Sequence, residues 1–130
     1  MSKTITVEIS PGELIDKITI LAIKLERMTD AVKLKNVRAE WETLVKARDD
    51  AIAPSAELDR LTAGLKKANE ALWVIEDDIR DCERRRDFGP KFVELARAVY
   101  RNNDERSRLK RQINELLGSR LIEEKSYAAY

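Results

Sequence analysis

Hydrophobic side chains recur at helical spacing in four segments of the chain. The first segment alternates steps of four and three residues through Leu14, Ile18, Leu21, Leu25 and Met28. This spacing keeps the apolar side chains on one face of a helix. Ser10 and Glu13 have the spacing of a capping box, and Pro11 suits the first helical turn. These signals predict a helix that begins at residue 11.

The remaining segments end in recognisable breaks. The most regular one runs from Leu58 to Cys82 with the spacing of three and four residues that is typical of a coiled-coil seam. Gly89 and Pro90 then form a turn, so the last helix must run back antiparallel to this one. The predicted helices are about 11–29, 31–51, 55–87 and 90–117, and the C-terminal tail is 118–130.

The segment before the first helix has a different period. In "TITVEI", residues 4–9, the apolar side chains of Ile5, Val7 and Ile9 alternate with polar ones, which is the pattern of a half-buried β-strand. The backbone groups of a lone strand need partners. We expect the strand to pair either with the same strand of a second copy or with the C-terminal tail.

The predicted fold class is therefore mainly all-α. Charged residues make up 38% of the chain and aromatic residues 5%, a composition typical of long solvated helices. We expect a single domain, 1–130, built as an antiparallel helical bundle of two helical hairpins. The second hairpin is long and coiled-coil-like, and one short N-terminal β-strand is added to the bundle.

The charge balance narrows the possible partners. Lys and Arg number 25 and Asp and Glu 24, so the net charge of +1 gives no long-range field that would attract nucleic acid or an anionic membrane. The longest apolar-rich run, "ITILAI" at 18–23, is too short to cross a bilayer. We expect a cytoplasmic protein with no nucleic-acid partner and no membrane partner.

The available side chains also limit the chemistry. Histidine is absent and Cys82 is the only cysteine, which excludes histidine-based zinc sites, Ser-His triads and cysteine metal clusters, and which fits a reducing compartment. Carboxylates, lysines, arginines and tyrosines remain. Hard oxygen ligands for Mg²⁺ exist in Glu76, Asp77, Glu123 and Glu124, but their spacing is not diagnostic. No cofactor and no metal site are predicted.

Helix 4 carries polar residues where its apolar stripe should continue. Asn103 and Arg106 stand at these positions, where polar groups are costly unless partners meet them. We expect them on the inward side of the helix, with Glu76 and Asp16 as the acids that meet Arg106 and Lys110. The alternative is structural, because most charged side chains in such a chain are solvated and one Asn can simply fix a helix register.

Polar ridges on helices 1 and 3 lie beside the apolar stripes and extend this set. The candidates for a polar network or a ligand site are Glu13, Asp16, Lys17, Trp73, Glu76, Arg80, Tyr100, Asn103, Arg106 and Lys110.

Three motifs carry a family resemblance. They are "GELIDKITILAIKLE" at 12–26, "LWVIEDDIR" at 72–80, and "NNDERSRLKRQIN" continuing to "EEKSYAAY". In combination they resemble an uncharacterised bacterial family of small helical proteins, a domain of unknown function. The resemblance places the candidates above, together with Asp104, Asn114, Glu124, Lys125 and Tyr127, at motif positions.

Two functions of different classes fit the sequence. The first is an oligomeric interaction, scaffold or ligand-binding module, expected as a homodimer, with a polar network inside the bundle and an anionic small molecule as a candidate ligand. The alternative is a small carboxylate-based enzyme that acts on a phosphorylated or nucleotide-linked substrate, with or without Mg²⁺. The sequence leaves open whether the protein is an enzyme.

Overall fold

The computed structural model describes residues 3–130 and contains four α-helices. They are α1 (Pro11–Arg27), α2 (Ala31–Ala51), α3 (Ala56–Arg84) and α4 (Pro90–Leu116). The all-α fold class is confirmed. The starts of the helices lie close to the predicted positions, while α3 ends at Arg84 and not near residue 87 because Arg86, with φ of 55°, leaves the helical conformation.

Side-chain caps explain where three of the helices begin. Ser10 accepts a hydrogen bond from the backbone N–H of Glu13, at 3.3 Å, and Ser55 accepts one from Leu58 at 3.1 Å. Asp30 caps α2 in the same way. These oxygens satisfy backbone donors that have no partner inside the helix.

The core lies where α1, α3 and α4 meet. One cluster of buried side chains joins Ile15 of α1, Leu61 and Leu65 of α3, and Leu109 and Ile113 of α4. Helix α1 packs against all three other helices, and α2 packs against α1. The first helix is therefore the central element of the bundle, and its polar side chains must find partners on α3 and α4.

The predicted N-terminal strand does not form. The structure has no β-strand within residues 3–130, and the side chains of Ile5 and Val7 are 90% and 67% exposed. The tail does not supply a paired strand: its Arg120 contacts Glu8 of this segment through a side-chain ion pair of 2.6 Å. Because the backbone groups of residues 4–9 have no strand partner in this structure, the segment is not part of a sheet.

Gly118 reverses the chain after α4. Its φ of 64° lies in the left-handed region that favours glycine, and the N–H of Ser119 donates to the carbonyl of Asn114 at 2.8 Å. The tail then lies along α4, where Tyr130 packs edge-on against Tyr100 and hydrogen-bonds Asp104.

Within residues 3–130, no helix is both long and apolar enough to cross a membrane.

Candidate functional site

The carboxylate of Asp16 is the most deeply buried charge of the bundle. Its residue is 0% exposed, and the Arg106 guanidinium approaches it with two nitrogens. Nε of Arg106 donates to Oδ1 at 2.9 Å and Nη2 donates to Oδ2 at 2.5 Å. This side-by-side geometry is the strongest form of an arginine–carboxylate pair. It joins α1 to α4 across 90 residues of sequence.

Two further side chains complete the partners of Asp16. Nδ2 of Asn69 on α3 donates to Oδ1 of Asp16 at 2.9 Å and to Oγ1 of Thr19 at 3.0 Å. The Thr19 hydroxyl donates in turn to the backbone carbonyl of Asp16 at 2.7 Å. We call these four residues, Asp16, Thr19, Asn69 and Arg106, the Asp16 network. Within residues 3–130 every buried side-chain nitrogen or oxygen has a hydrogen-bond partner.

The network keeps both charges in their ionised forms. Burial alone would raise the pKa of Asp16, but hydrogen bonds from Arg106 and Asn69 outweigh burial and hold that pKa below its ordinary value of 3.8. The same hydrogen bond to Asp16 raises the pKa of Arg106. The side chain of Arg106 remains 29% exposed. One edge of the guanidinium is thus fixed by Asp16 while the rest reaches the surface.

A close approach of two backbones sets the position of α1 against α4. The N–H of Gly12 donates to Oδ1 of Asn114 at 2.7 Å. A Cβ atom at Gly12 would stand 2.5 Å from the carbonyl oxygen of Lys110, so no side chain fits there. The next residue of α1, Glu13, pairs with Nζ of Lys110 at 2.7 Å. The α1–α4 contact therefore brings Asp16 within reach of Arg106.

Arg106 lies on the boundary between two hollows. The first, which we call the Trp73 groove, has a volume of about 490 Å³. Its lining includes Ile20, Trp73, Glu76, Arg80, Asn103 and Arg106. It combines apolar side chains, one indole ring and charges of both signs.

The second hollow lies under the C-terminal tail and is called here the tail cavity. It has a volume of about 240 Å³, and the tail supplies its outer wall through Glu123, Lys125 and Tyr127. Its α4 side includes Asn103, Arg106, Ser107 and Lys110. Asn103 and Arg106 line both hollows.

The family of the chain follows from its sequence match. A model described as a family of unknown function (DUF6165) matches residues 5–130. The chain belongs to this DUF6165 family. No curated protein and no solved structure matches it. The resemblance to a family of unknown function is thereby confirmed, while the bacterial source stays a prediction.

In this DUF6165 member the structure brings together some of the predicted site residues. Asp16 meets Arg106 as expected, and Glu13 and Lys110 form the neighbouring pair. The predicted contact of Glu76 with Arg106 or Lys110 is wrong, because Glu76 pairs with Arg80 one turn along α3.

Other predicted residues lie at the edges of this region. Trp73 and Arg80 line the Trp73 groove, together with Glu76. Asn103 is exposed rather than inward, and its Oδ1 accepts a long hydrogen bond of 3.4 Å from Arg106. Lys17 is exposed and stands 3.9 Å from Glu13. Tyr100 is 42% exposed and packs on Tyr130 of the tail.

The candidates drawn from the sequence omit the amide and the hydroxyl that complete the network, although Asn69 belongs to the polar ridge of the third helix. Asn69 and Thr19 are 6% and 3% exposed, yet neither stood among the candidates. Asn69 lies one residue beyond the apolar stripe of α3, next to Ala68, and that position signals a side chain facing the edge of the core. Glu123 was considered as a Mg²⁺ ligand, whereas the structure places it 3.6 Å from Nζ of Lys110.

A metal site was also considered at the acids of α3 and the tail. The part of the chain that the structure describes contains no group of three or more acidic, cysteine or histidine side chains placed to hold a metal ion. Glu76 and Asp77 face the Trp73 groove, while Glu123 and Glu124 contact basic residues of α4.

Proposed function

We propose that this protein is a small-molecule-binding module whose ligand is anchored by Arg106 in the Trp73 groove. The proposal rests on the Arg106 guanidinium, which has one fixed edge and one accessible edge. Asp16, which itself accepts a hydrogen bond from Asn69, binds the inner edge, and Arg106 also lines the groove. A side chain fixed before binding loses little conformational entropy when the ligand arrives.

The lining of the groove indicates the class of ligand. Arg106 and Arg80 suit an anionic group, since guanidinium donors match carboxylate and phosphate oxygens. Trp73 offers an apolar ring face, and Glu76 and Asp77 offer acceptors for hydroxyl or amino groups. These features fit an anionic molecule that also carries a ring, such as a sugar phosphate or a nucleotide. The volume of about 490 Å³ lies within the usual range for such sites, roughly 300–1,000 Å³.

The geometry supports binding more than catalysis. Both carboxylate oxygens of Asp16 accept hydrogen bonds, and the lowered pKa of this group makes it a poor general base. Glu13 is held by Lys110 at 2.7 Å. Neither Asp16 nor Glu13 is therefore placed to remove a proton from a ligand in the groove. The enzymatic function stays the second hypothesis.

A thermal-shift screen with nucleotides, sugar nucleotides and sugar phosphates, each with and without Mg²⁺, tests the proposal. A ligand present at 100 times its dissociation constant should stabilise the protein by about 2.7 kcal/mol. Trp73→Ala should abolish the shift, and Trp41→Ala is the matched control because Trp41 lies on α2 outside the groove. A ligand shift that survives Trp73→Ala, or the lack of any shift across these classes, contradicts the proposal.

The homodimer and the cytoplasmic location are parts of the same proposal. The exposed face of Ile5, Val7 and Ile9 supports the dimer, since a second copy would cover these side chains and pair the extended backbone. The single buried thiol of Cys82 is compatible with a reducing compartment.

Deletion of residues 1–9 tests the dimer. The full chain should sediment as a dimer at micromolar concentration, and the shortened chain as a monomer with unchanged helix content. The exposed tail residue Tyr127, changed to Ala, serves as a control that should leave the dimer intact. A full chain that sediments as a 15 kDa monomer would remove this part of the proposal.

A further inference from the structure

The tail places two carboxylates on the basic face of α4. Oε1 of Glu123 lies 3.6 Å from Nζ of Lys110 and 3.5 Å from Nζ of Lys125. Oε1 of Glu124 lies 3.2 Å from Nη1 of Arg111. A hollow of about 350 Å³ that adjoins the tail cavity is lined by all five of these residues. The two glutamates therefore occupy the place that an external anion would take among the three cations.

Lys110 differs from an ordinary surface lysine. Its side chain is 11% exposed, and its ammonium contacts Glu13 at 2.7 Å in addition to Glu123. Arg106 lies one turn before it on α4 and lines the same tail cavity. Both cations are positioned by acids of α1, which fixes their location without using the contacts that face the tail. They form a rigid floor for an anion.

The contacts of the two glutamates with the cations are weak. The side chains of Glu123 and Glu124 are 44% and 77% exposed, and exposed ion pairs of this kind contribute little to stability. Two carboxylates together carry a charge of −2, and a phosphate monoester carries between about −1.5 and −2 near neutral pH. Exchange of one for the other leaves the local charge nearly unchanged.

We infer that the tail cavity, together with the adjoining hollow, is the phosphate-monoester subsite of the ligand, and that Glu123 and Glu124 fill these two hollows as internal substitutes until the ligand displaces them. This inference rests on the proposed function, because it assigns the phosphate of the groove ligand to the far side of Arg106. Ser107 and Lys110 of α4 and Lys125 of the tail then surround the phosphate. The ring of the ligand extends past Arg106 and Asn103 to Trp73, since both residues line the two hollows.

Calorimetric titration of the full chain with inorganic phosphate, at constant ionic strength, tests the subsite. Glu123→Gln removes the internal competitor and should tighten phosphate binding roughly fivefold, the change that corresponds to an ion pair of about 1 kcal/mol. Lys125→Gln should weaken binding by a similar factor. Glu94→Gln is the matched control, because Glu94 pairs with Arg97 and Arg101 away from the cavity. Equal effects of Glu123→Gln and Glu94→Gln, or unchanged affinity in Lys125→Gln, overturn the inference.

A second titration separates this inference from the proposed function. A nucleoside monophosphate is compared with its unphosphorylated nucleoside and with inorganic phosphate, in the wild type and in Trp73→Ala. If Trp73→Ala weakens nucleotide binding while Glu123→Gln and Lys125→Gln leave that binding unchanged, the proposal of a ligand in the Trp73 groove is supported and the phosphate subsite is refuted. If Glu123→Gln and Lys125→Gln change phosphate affinity as expected while Trp73→Ala has no effect on nucleotide binding, the phosphate subsite is supported and the groove proposal fails.

Discussion

At the scale of single residues, the burial of Asp16 makes the stability of the fold depend on Arg106. The carboxylate is fully buried, and Arg106 is its only cationic partner within hydrogen-bond distance among residues 3–130. A buried charge that loses its partner typically costs about 3–5 kcal/mol. The partial exposure of Arg106 places the expected cost at the lower end of this range.

Arg106→Leu should therefore lower the free energy of unfolding by about 3 kcal/mol, measured by urea denaturation. Arg108→Leu is the matched control. That arginine pairs with Glu105 at the surface of α4, so the change should cost less than about 0.5 kcal/mol. Equal stability of the two variants would show that Asp16 does not depend on its arginine.

The pH dependence of stability follows from the lowered pKa of Asp16. Because its pKa in the folded chain lies below its ordinary value of 3.8, the ionised form stabilises the fold above that value. This contribution is lost as the pH falls below about 5 and through the folded pKa. Unfolding free energies measured from about pH 3 to about pH 7 should fall at the acid end, and the fall should be smaller in Asp16→Asn.

High salt isolates the contribution of Asp16 in this experiment. The pKa values of Glu57, Asp81 and Glu105 are also lowered, through hydrogen bonds from nearby arginines. Those pairs are exposed and are screened by salt, whereas the buried pair is screened much less. An acid-end slope in high salt that is identical in the wild type and in Asp16→Asn would contradict the assignment.

At the scale of the helices, the contact of α1 with α4 depends on a missing side chain. A Cβ at Gly12 would stand 2.5 Å from the Lys110 carbonyl oxygen and 2.9 Å from Oδ1 of Asn114. Gly12→Ala must therefore separate the two helices or break the Gly12–Asn114 hydrogen bond. Overpacking of this kind costs about 1–3 kcal/mol.

Gly64→Ala is the control for this change. A Cβ at Gly64 would meet Cδ1 of Leu109 at 3.3 Å, the end of a flexible side chain that can move. An alanine inside a helix is also favoured over glycine by about 0.5–1 kcal/mol. Denaturation should place Gly64→Ala within about 1 kcal/mol of the wild type. Comparable losses in both variants would show that the approach at Gly12 is not special.

The helices could be predicted from local signals. The absence of a strand at residues 4–9 could not. Leu14 to Met28 and Leu58 to Cys82 carry a helical period, and Ser10 and Ser55 cap the helices that follow them, so both the elements and their starts can be read along the chain. The alternation of apolar and polar residues at 4–9 shows only which side chains would share a face if a strand formed. Whether a strand forms depends on a backbone partner elsewhere, which no local pattern contains.

The site was predictable in part for a related reason. Arg106 interrupts an apolar stripe, so the sequence indicates that it needs an acid. Whether Asp16 or Glu76 meets Arg106 depends on how far α1 and α3 are shifted along α4. The spacing of residues within one helix gives no information on that shift. The close approach at Gly12 fixes the position of α1 against α4 and brings Asp16 to Arg106.

At the scale of the whole molecule, the Asp16 network connects the three helices that form the core. Asp16 and Thr19 belong to α1, Asn69 to α3 and Arg106 to α4, and the core cluster joins the same helices. A network in this place can be purely structural or can present Arg106 to a ligand. The two roles differ in what happens when both charges are removed together.

The double variant Asp16→Leu with Arg106→Leu separates these roles most directly. Well-packed apolar replacements of a buried pair are often neutral or stabilising, so the double variant should recover most of the stability that Arg106→Leu loses. Its melting temperature is measured with and without the ligand found by the screen. The double variant should have a melting temperature near that of the wild type and show no ligand-induced shift, because sites commonly trade stability for function. A double variant that folds well and keeps the full ligand-induced shift would show that the network only holds the bundle together.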